Sequence, residues 1–186
     1  GIFAGGSYSG SHNTIDYVTI QSTGNANDFG DLAYVRSSLR AVQSPTRGCF
    51  GGGGDPHYDY IDYITTATTG NAADFGDLTA AKKYSEAASN AVRGLFANGY
   101  TGPATYHQVI EYITMATLGN GVDFGDTTNV YTFGSAAASP TRYVRMGGKE
   151  TGGGYTDTMD YVQIMTTGNA LDFGNLTNAM DALAAT

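Results

Sequence analysis

Four acidic turns hold the oxygen donors best placed for chemistry. TGNANDFGDL from Thr23, TGNAADFGDL from Thr69, LGNGVDFGDT from Leu118 and TGNALDFGNL from Thr167 each set an Asn three residues before an Asp. Amide and carboxylate oxygens are what Ca²⁺ accepts. The cation candidates are therefore Asn25 with Asp28, Asn71 with Asp74, Asn120 with Asp123 and Asn169 with Asp172, Asp31 adding another oxygen in the first copy. Their spacing matches no EF-hand loop, and turn chemistry already explains them, since Gly and Asn accept positive φ and Asp caps nearby N–H groups. We read these eight residues as structural repeat turns without a cofactor, Ca²⁺ being the alternative.

His12, His57 and His107 occupy one loop in three successive copies, where imidazole could bind a metal or move a proton. The fourth copy reads GYTDTMDY there and has no His, which favours an exposed polar loop. No GxSxG, HExxH, Walker loop or CxxC pair occurs, so no catalytic residue is assigned and the chain is expected to be non-enzymatic. Aromatic residues do recur in these loops. Tyr8, Tyr58, Tyr60, Tyr100, Tyr106 and Tyr155, with the three histidines, form a candidate binding face. Tyr offers a ring for sugar stacking or a semi-rigid anchor for a protein.

The elements that must position these residues repeat with them, at a period of about 46 to 49 residues. Each copy opens on an apolar segment ending in glycines, such as GIFAGG at 1 or GCFGGGG at 48, which predicts a short strand and a bend. IDYVTI, IDYITT, IEYITM and MDYVQI follow, apolar on both faces, as strands between packed layers read. The GNAxD hairpin turn leads to a third strand, where Phe29, Phe75, Phe124 and Phe173 supply one large ring per unit. The last strand is read from SLRAVQS, SEAASNA and GSAAASP. Ala, Lys and Glu would suit a helix at AAKKYSEAASNAV, but NVYTFGSAAASP, its counterpart, would not, so strand is expected.

Twenty-seven glycines and fourteen tyrosines among 186 residues, with no tryptophan, fit an all-β chain of many turns. One domain spanning 1–186 is the expectation at this length. The formal charge of −8 disfavours nucleic acid and anionic membranes, which reward clustered cations. No apolar run approaches the ~20 residues of a membrane helix, and no signal peptide is apparent. Cys49 stands where other copies have Ile2, Leu95 and Val144, and is expected to be a small buried hydrophobe. The absence of an initiator Met suggests that Gly1 follows processing or belongs to a longer product.

Four short strands per unit at this period mark propeller blades. The order of glycine doublet, Tyr strand and aromatic strand resembles the kelch repeat, with Phe where kelch blades carry Trp. Gly5-Gly6, Gly51-Gly52 and Gly147-Gly148 match the doublet and Ala97-Asn98-Gly99 departs from it. TGNAxDFGDL with SPTRG and FGGG also resembles tandem repeats in virion structural proteins of marine cyanobacterial phages. The resemblance implies a small four-bladed β-propeller of four antiparallel strands per blade, located in a virion.

The kelch order implies closure by pairing of the N- and C-terminal strands, residues 178–186 completing the blade that 1–6 opens. Arg47, Arg93 and Arg142 are expected to pair with the strand acids Asp16, Asp62, Glu111 or Asp160. The functional expectation is a tail-associated, fibre or capsid-decorating component docking to virion proteins or a host-surface glycan, with homo-oligomers in a particle. A free lectin-like carbohydrate-binding module is the alternative.

Overall fold

The computed structural model describes residues 1–102 and 105–185. The chain is all-β, with seventeen strands in five unequal sheets among the described residues. Sheet 1 has three antiparallel strands, β1 (Ile2–Ala4), β2 (Thr14–Tyr17) and β3 (Asn27–Asp31). Sheet 2 has four: β4 (Arg40–Gln43), β5 (Arg47–Gly51), β6 (Tyr60–Thr65) and β7 (Ala73–Asp77). Sheet 3 repeats that order in β8 (Glu86–Ser89), β9 (Arg93–Ala97), β10 (Val109–Thr114) and β11 (Val122–Asp126). Between it and the last large sheet comes β12 (Tyr131–Thr132), which pairs with β15 (Lys149–Glu150) in a small ribbon. Sheet 4 holds β13 (Ser135–Ala138), β14 (Arg142–Met146), β16 (Thr158–Gln163) and β17 (Leu171–Asn175).

The segment 86–89 is a strand despite its helix-forming residues, as its counterparts required. Alanine and serine there let β8 pack closely between its neighbours, and tertiary fit overrides propensity.

The four large sheets pack one on the next in chain order, with three apolar cores between them. Ile15, Phe29 and Leu32 of unit 1 meet Phe50 and Ile64 of unit 2. Phe75 and Leu78 of unit 2 meet Phe96, Ile113 and Met115 of unit 3. Phe124 and Ile110 of unit 3 meet Tyr143, Val162 and Ile164 of unit 4. Cys49 is fully buried in the second core, and burial pushes its thiol up to about 12, which leaves it inert.

The units also join through backbone. A Cβ on Gly30, Gly76 or Gly125 would lie 2.5 or 2.6 Å from the Gly70, Gly119 or Gly168 carbonyl of the next unit, so only glycine permits this approach. The gain is direct: Gly70 N donates to Phe29 O (2.7 Å), Gly119 N to Phe75 O (2.9 Å) and Gly168 N to Phe124 O (2.7 Å). At the other end of the sheet the first glycine of each doublet closes on the linker that leaves its own unit. Gly52, at φ 68°, would place a Cβ 2.5 Å from Lys82 O. In unit 3 the departure noted above is explained, because Asn98 tolerates φ 56° and bonds Glu86 (2.9 Å) and Thr127 (2.6 Å).

The array is open, which corrects the expected four-bladed kelch propeller. Among the described residues, sheet 1 has three strands, no strand of the C-terminal segment pairs with β1, and no sheet closes on another. Residues 178–185 stay with their own end of the array: Gly148 N donates to Met180 O (2.8 Å) and Ala182 N to Phe133 O (2.8 Å). Held there, they do not reach β1. Thr186, the last residue of the expected closing strand, lies outside the described residues.

The expected pairing of Arg47, Arg93 and Arg142 with the strand acids is also overturned. These side chains lie over Tyr63, Tyr112 and Tyr161, with guanidinium-to-centroid distances of 4.8, 4.2 and 4.5 Å. Arg47 and Arg93 also donate to Met115 O (2.9 Å) and Ile164 O (3.0 Å) of the following unit. The acids instead meet cations from the preceding unit's linker, Arg36 with Asp62 (2.6 Å) and Lys82 with Glu111, all buried. In unit 4 the linker position is Tyr131, and Arg145 supplies the charge from β14, over the Tyr131 ring and 3.5 Å from Asp160. Asp16 has no ion pair among the described residues.

Candidate functional site

The strand directions separate the two sets of candidate residues. The turns 18–26, 66–72, 115–121 and 164–170 lie at one end of the sheets, and the loops following β1, β5, β9 and β14 lie at the other.

The acidic turns are scaffold. Asp28, Asp74, Asp123 and Asp172 each sit on a strand and accept from the amide two residues on, at 3.0 or 3.1 Å. Asn71, Asn120 and Asn169 accept at 3.1 Å from Asp31 N, Asp77 N and Asp126 N, bridging one unit to the next. Among the described residues Asn25 makes no such bond, since none of them forms a unit ahead of it. Each acid is occupied within its own unit, and among the described residues no group of three or more His, Cys, Asp or Glu could hold a metal ion.

The loop end carries two groups of aromatic side chains. Tyr34, Tyr58 and Tyr60 stack on one another, with centroids 4.7 to 5.8 Å apart and interplanar angles of 18° to 25°. Tyr34 comes from the linker of unit 1, and the other two from unit 2. Its position just past Leu32 concealed it in the sequence, since no other repeat has Tyr there. Half of Tyr34 remains exposed. Next to this stack, His57 packs edge-on against Tyr100 (5.8 Å, 81°), which contacts Tyr106 (5.3 Å).

Asp59 and Asp77 give this patch a negative field. With Tyr34 foremost, then burial, Asp59, Tyr58 and Asp77, they push the Tyr60 hydroxyl above the ordinary tyrosine range. Burial and the neighbouring Lys83 lower His57, and burial and Lys82 lower His107, so both favour neutral imidazole. His107 Nε2 is bonded to Thr101 Oγ1. His12 Nε2 lies 2.8 Å from Tyr8 O on the first unit, while Tyr8 and Tyr155 are exposed at opposite ends of the array. The structure thus brings Tyr58 and Tyr60 onto Tyr34, and His57 and Tyr106 onto Tyr100, and leaves Tyr8, His12 and Tyr155 apart.

A second buried polar group lies between sheets 3 and 4. Glu86 accepts from Asn98 Nδ2 (2.9 Å) and Gly134 N (3.0 Å), close to Arg145, and burial holds its pKa above the ordinary carboxylate value. A raised folded-state pKa contributes stability that is full below the unfolded value of 4.5 and is lost as pH rises through the folded value. Glu86→Gln is therefore expected to remove part of the stabilisation that the parent gains on mild acidification. Urea midpoints for both proteins between pH 4 and 8 measure this, and parallel profiles would contradict it.

No protein-family model matches the chain, and no curated protein matches it. The kelch and phage resemblance is overturned, because neither the open topology nor any family match carries it. Among the described residues no helix is long and apolar enough to cross a membrane.

Proposed function

We propose that the protein is a non-catalytic structural and binding module whose loop end recognises a neutral carbohydrate. The observation that carries this reading is the Tyr34–Tyr58–Tyr60 stack, which joins a half-exposed ring to the carboxylates of Asp59 and Asp77. A ring face covers the apolar side of a sugar, and carboxylates accept from its hydroxyls. The net charge of −8 disfavours sulfated or sialylated ligands.

Docking onto another protein in a particle such as a virion is the second reading. It is favoured by the exposed Tyr8 and Tyr155 on the first and fourth units, which one sugar would not span. A glycan array separates the two. Neutral glycans should bind the parent and lose at least tenfold in affinity on the double change Tyr34→Ala, Tyr58→Ala. Absence of binding, or binding indifferent to those changes, would contradict the carbohydrate reading.

A further inference from the structure

The three internal junctions define a template, and the two ends of the array expose its unmatched halves. Phe29, Phe75 and Phe124 are 5, 3 and 3% exposed because the next unit covers each, whereas Phe173 is 46% exposed. Met180 is also open at that end, where its counterparts Arg36, Lys82 and Tyr131 are buried. At the other end Phe3 is 61% exposed against 4% and 0% for Phe50 and Phe96, and Ile20 is 78% against 1% and 0% for Met115 and Ile164.

The polar groups are unmatched in the same way. The internal junctions pair Phe O with Gly N, Asp O with a residue two positions after that Gly, and Asp N with Asn Oδ1. On unit 4 the equivalents are Phe173 O, Asn175 O and Asn175 N, and on unit 1 they are Gly24 N, Ala26 N and Asn25 Oδ1. None of the six has its junction partner among the described residues. Arg142 likewise lacks the following-unit carbonyl that Arg47 and Arg93 reach, and Ile20 O stands at that position on unit 1.

We propose that copies of this chain assemble head to tail, unit 4 of one copy receiving unit 1 of the next through a fourth junction of the internal type. Phe173 is then covered by Val18, Ile20 and Phe3, and the six backbone and Asn groups pair. The free edge of β1 borders a groove of about 800 Å³ whose lining runs from Ile2 and Val18 along β4 to Ser89 of sheet 3 and Ala138 of sheet 4. By the register of β4 on β5, Ala184 and Ala185 of the neighbouring copy come opposite Ala4 and Phe3, adding a strand to that edge.

One element is missing. Met180 gives Asp16 no cation, so the junction between copies is weaker than the internal ones and forms reversibly. The two faces differ, so each added copy leaves a fresh face of each kind, and association continues beyond a dimer.

Sedimentation velocity tests this on the intact chain over a hundredfold concentration range. The parent should show species larger than dimers that grow with concentration, and grow further in salt as repulsion between copies of charge −8 is screened. Phe173→Glu should abolish assembly, and so should Phe3→Glu; both changes lie on exposed side chains, and far-ultraviolet CD checks the fold. Mixed in equal amounts, the two variants should form a dimer and nothing larger, since each retains one working face. A parent that stays monomeric or stops at a symmetric dimer, single variants that assemble like the parent, or a mixture that stays monomeric would each overturn the proposal. A partner protein or a further covalent repeat would then be the occupant.

Discussion

Phe75→Ala will destabilise the protein by about 3 to 5 kcal/mol, while Phe173→Ala will cost at most about 1 kcal/mol. Both residues occupy the same place in the repeat, and both rings stand edge-on to a tyrosine, Tyr63 at 6.0 Å and Tyr161 at 5.9 Å. They differ in what comes next. Phe75 lies beneath Phe96, Ile113 and Met115 of the following sheet, so truncation removes transferred surface and leaves a cavity. Phe173 has no following sheet among the described residues and loses little beyond its contacts with Tyr161 and with the Arg142 guanidinium, 6.0 Å from its ring centroid. Urea denaturation of the two variants, under monomeric conditions, measures the difference. Equal losses would mean that the fourth unit is covered as the second is.

Arg36→Met is expected to cost about 3 to 5 kcal/mol, because it strands Asp62 as an unpaired buried charge. The guanidinium is fully buried and donates to Asp62 Oδ2 (2.6 Å), Gly52 O (3.0 Å), Tyr60 O (2.9 Å) and Phe50 O (3.2 Å). Four acceptors on β5, on β6 and at the bend after β5 thus converge on one side chain from unit 1. Adding Asp62→Asn to Arg36→Met should recover part of the loss, since the stranded charge is then gone. Additive losses in the double variant would show that the ion pair itself contributes little. Linker cations of this kind bind one sheet to the next at the loop end, as the Asn bridges do at the turn end.

The repeat period, the β class and the strand sequence of each unit were legible because the same pattern recurs with different residues. Glu86 to Ser89 shows why: alone it reads as helix, and its counterparts decide. The three covered phenylalanines were legible as the one large ring per unit. The exposure of Phe173 was not, because burial depends on whether another unit follows, which no residue in the repeat encodes. Arg47, Arg93 and Arg142 were assigned to the wrong partners for a similar reason. One cation and one acid per unit suggest a pair within the unit, but the acids are met from the preceding linker, whose residue changes from Arg36 to Lys82 to Tyr131. When Tyr131 removes that charge, Arg145 restores it from an adjacent strand, at a position that is Phe in units 2 and 3. Tyr34 escaped notice because it has no repeat counterpart, and its partners lie more than twenty residues away.

The contrast between Phe75 and Phe173 and the linker ion pairs rest on one claim, that each unit is covered by the next and the array ends open. Amide hydrogen exchange on the monomer, at concentrations where sedimentation shows a single copy, tests it most directly. Gly70, Gly119 and Gly168 donate across the three junctions, and Gly24 occupies the same place with no such partner among the described residues. The three should exchange slowly and Gly24 rapidly, with Ala26 fast beside slow Ala72, Gly121 and Ala170. Protection of Gly24 and Ala26 equal to that of their counterparts in the monomer would mean that unit 4 covers unit 1, and the open array would be wrong.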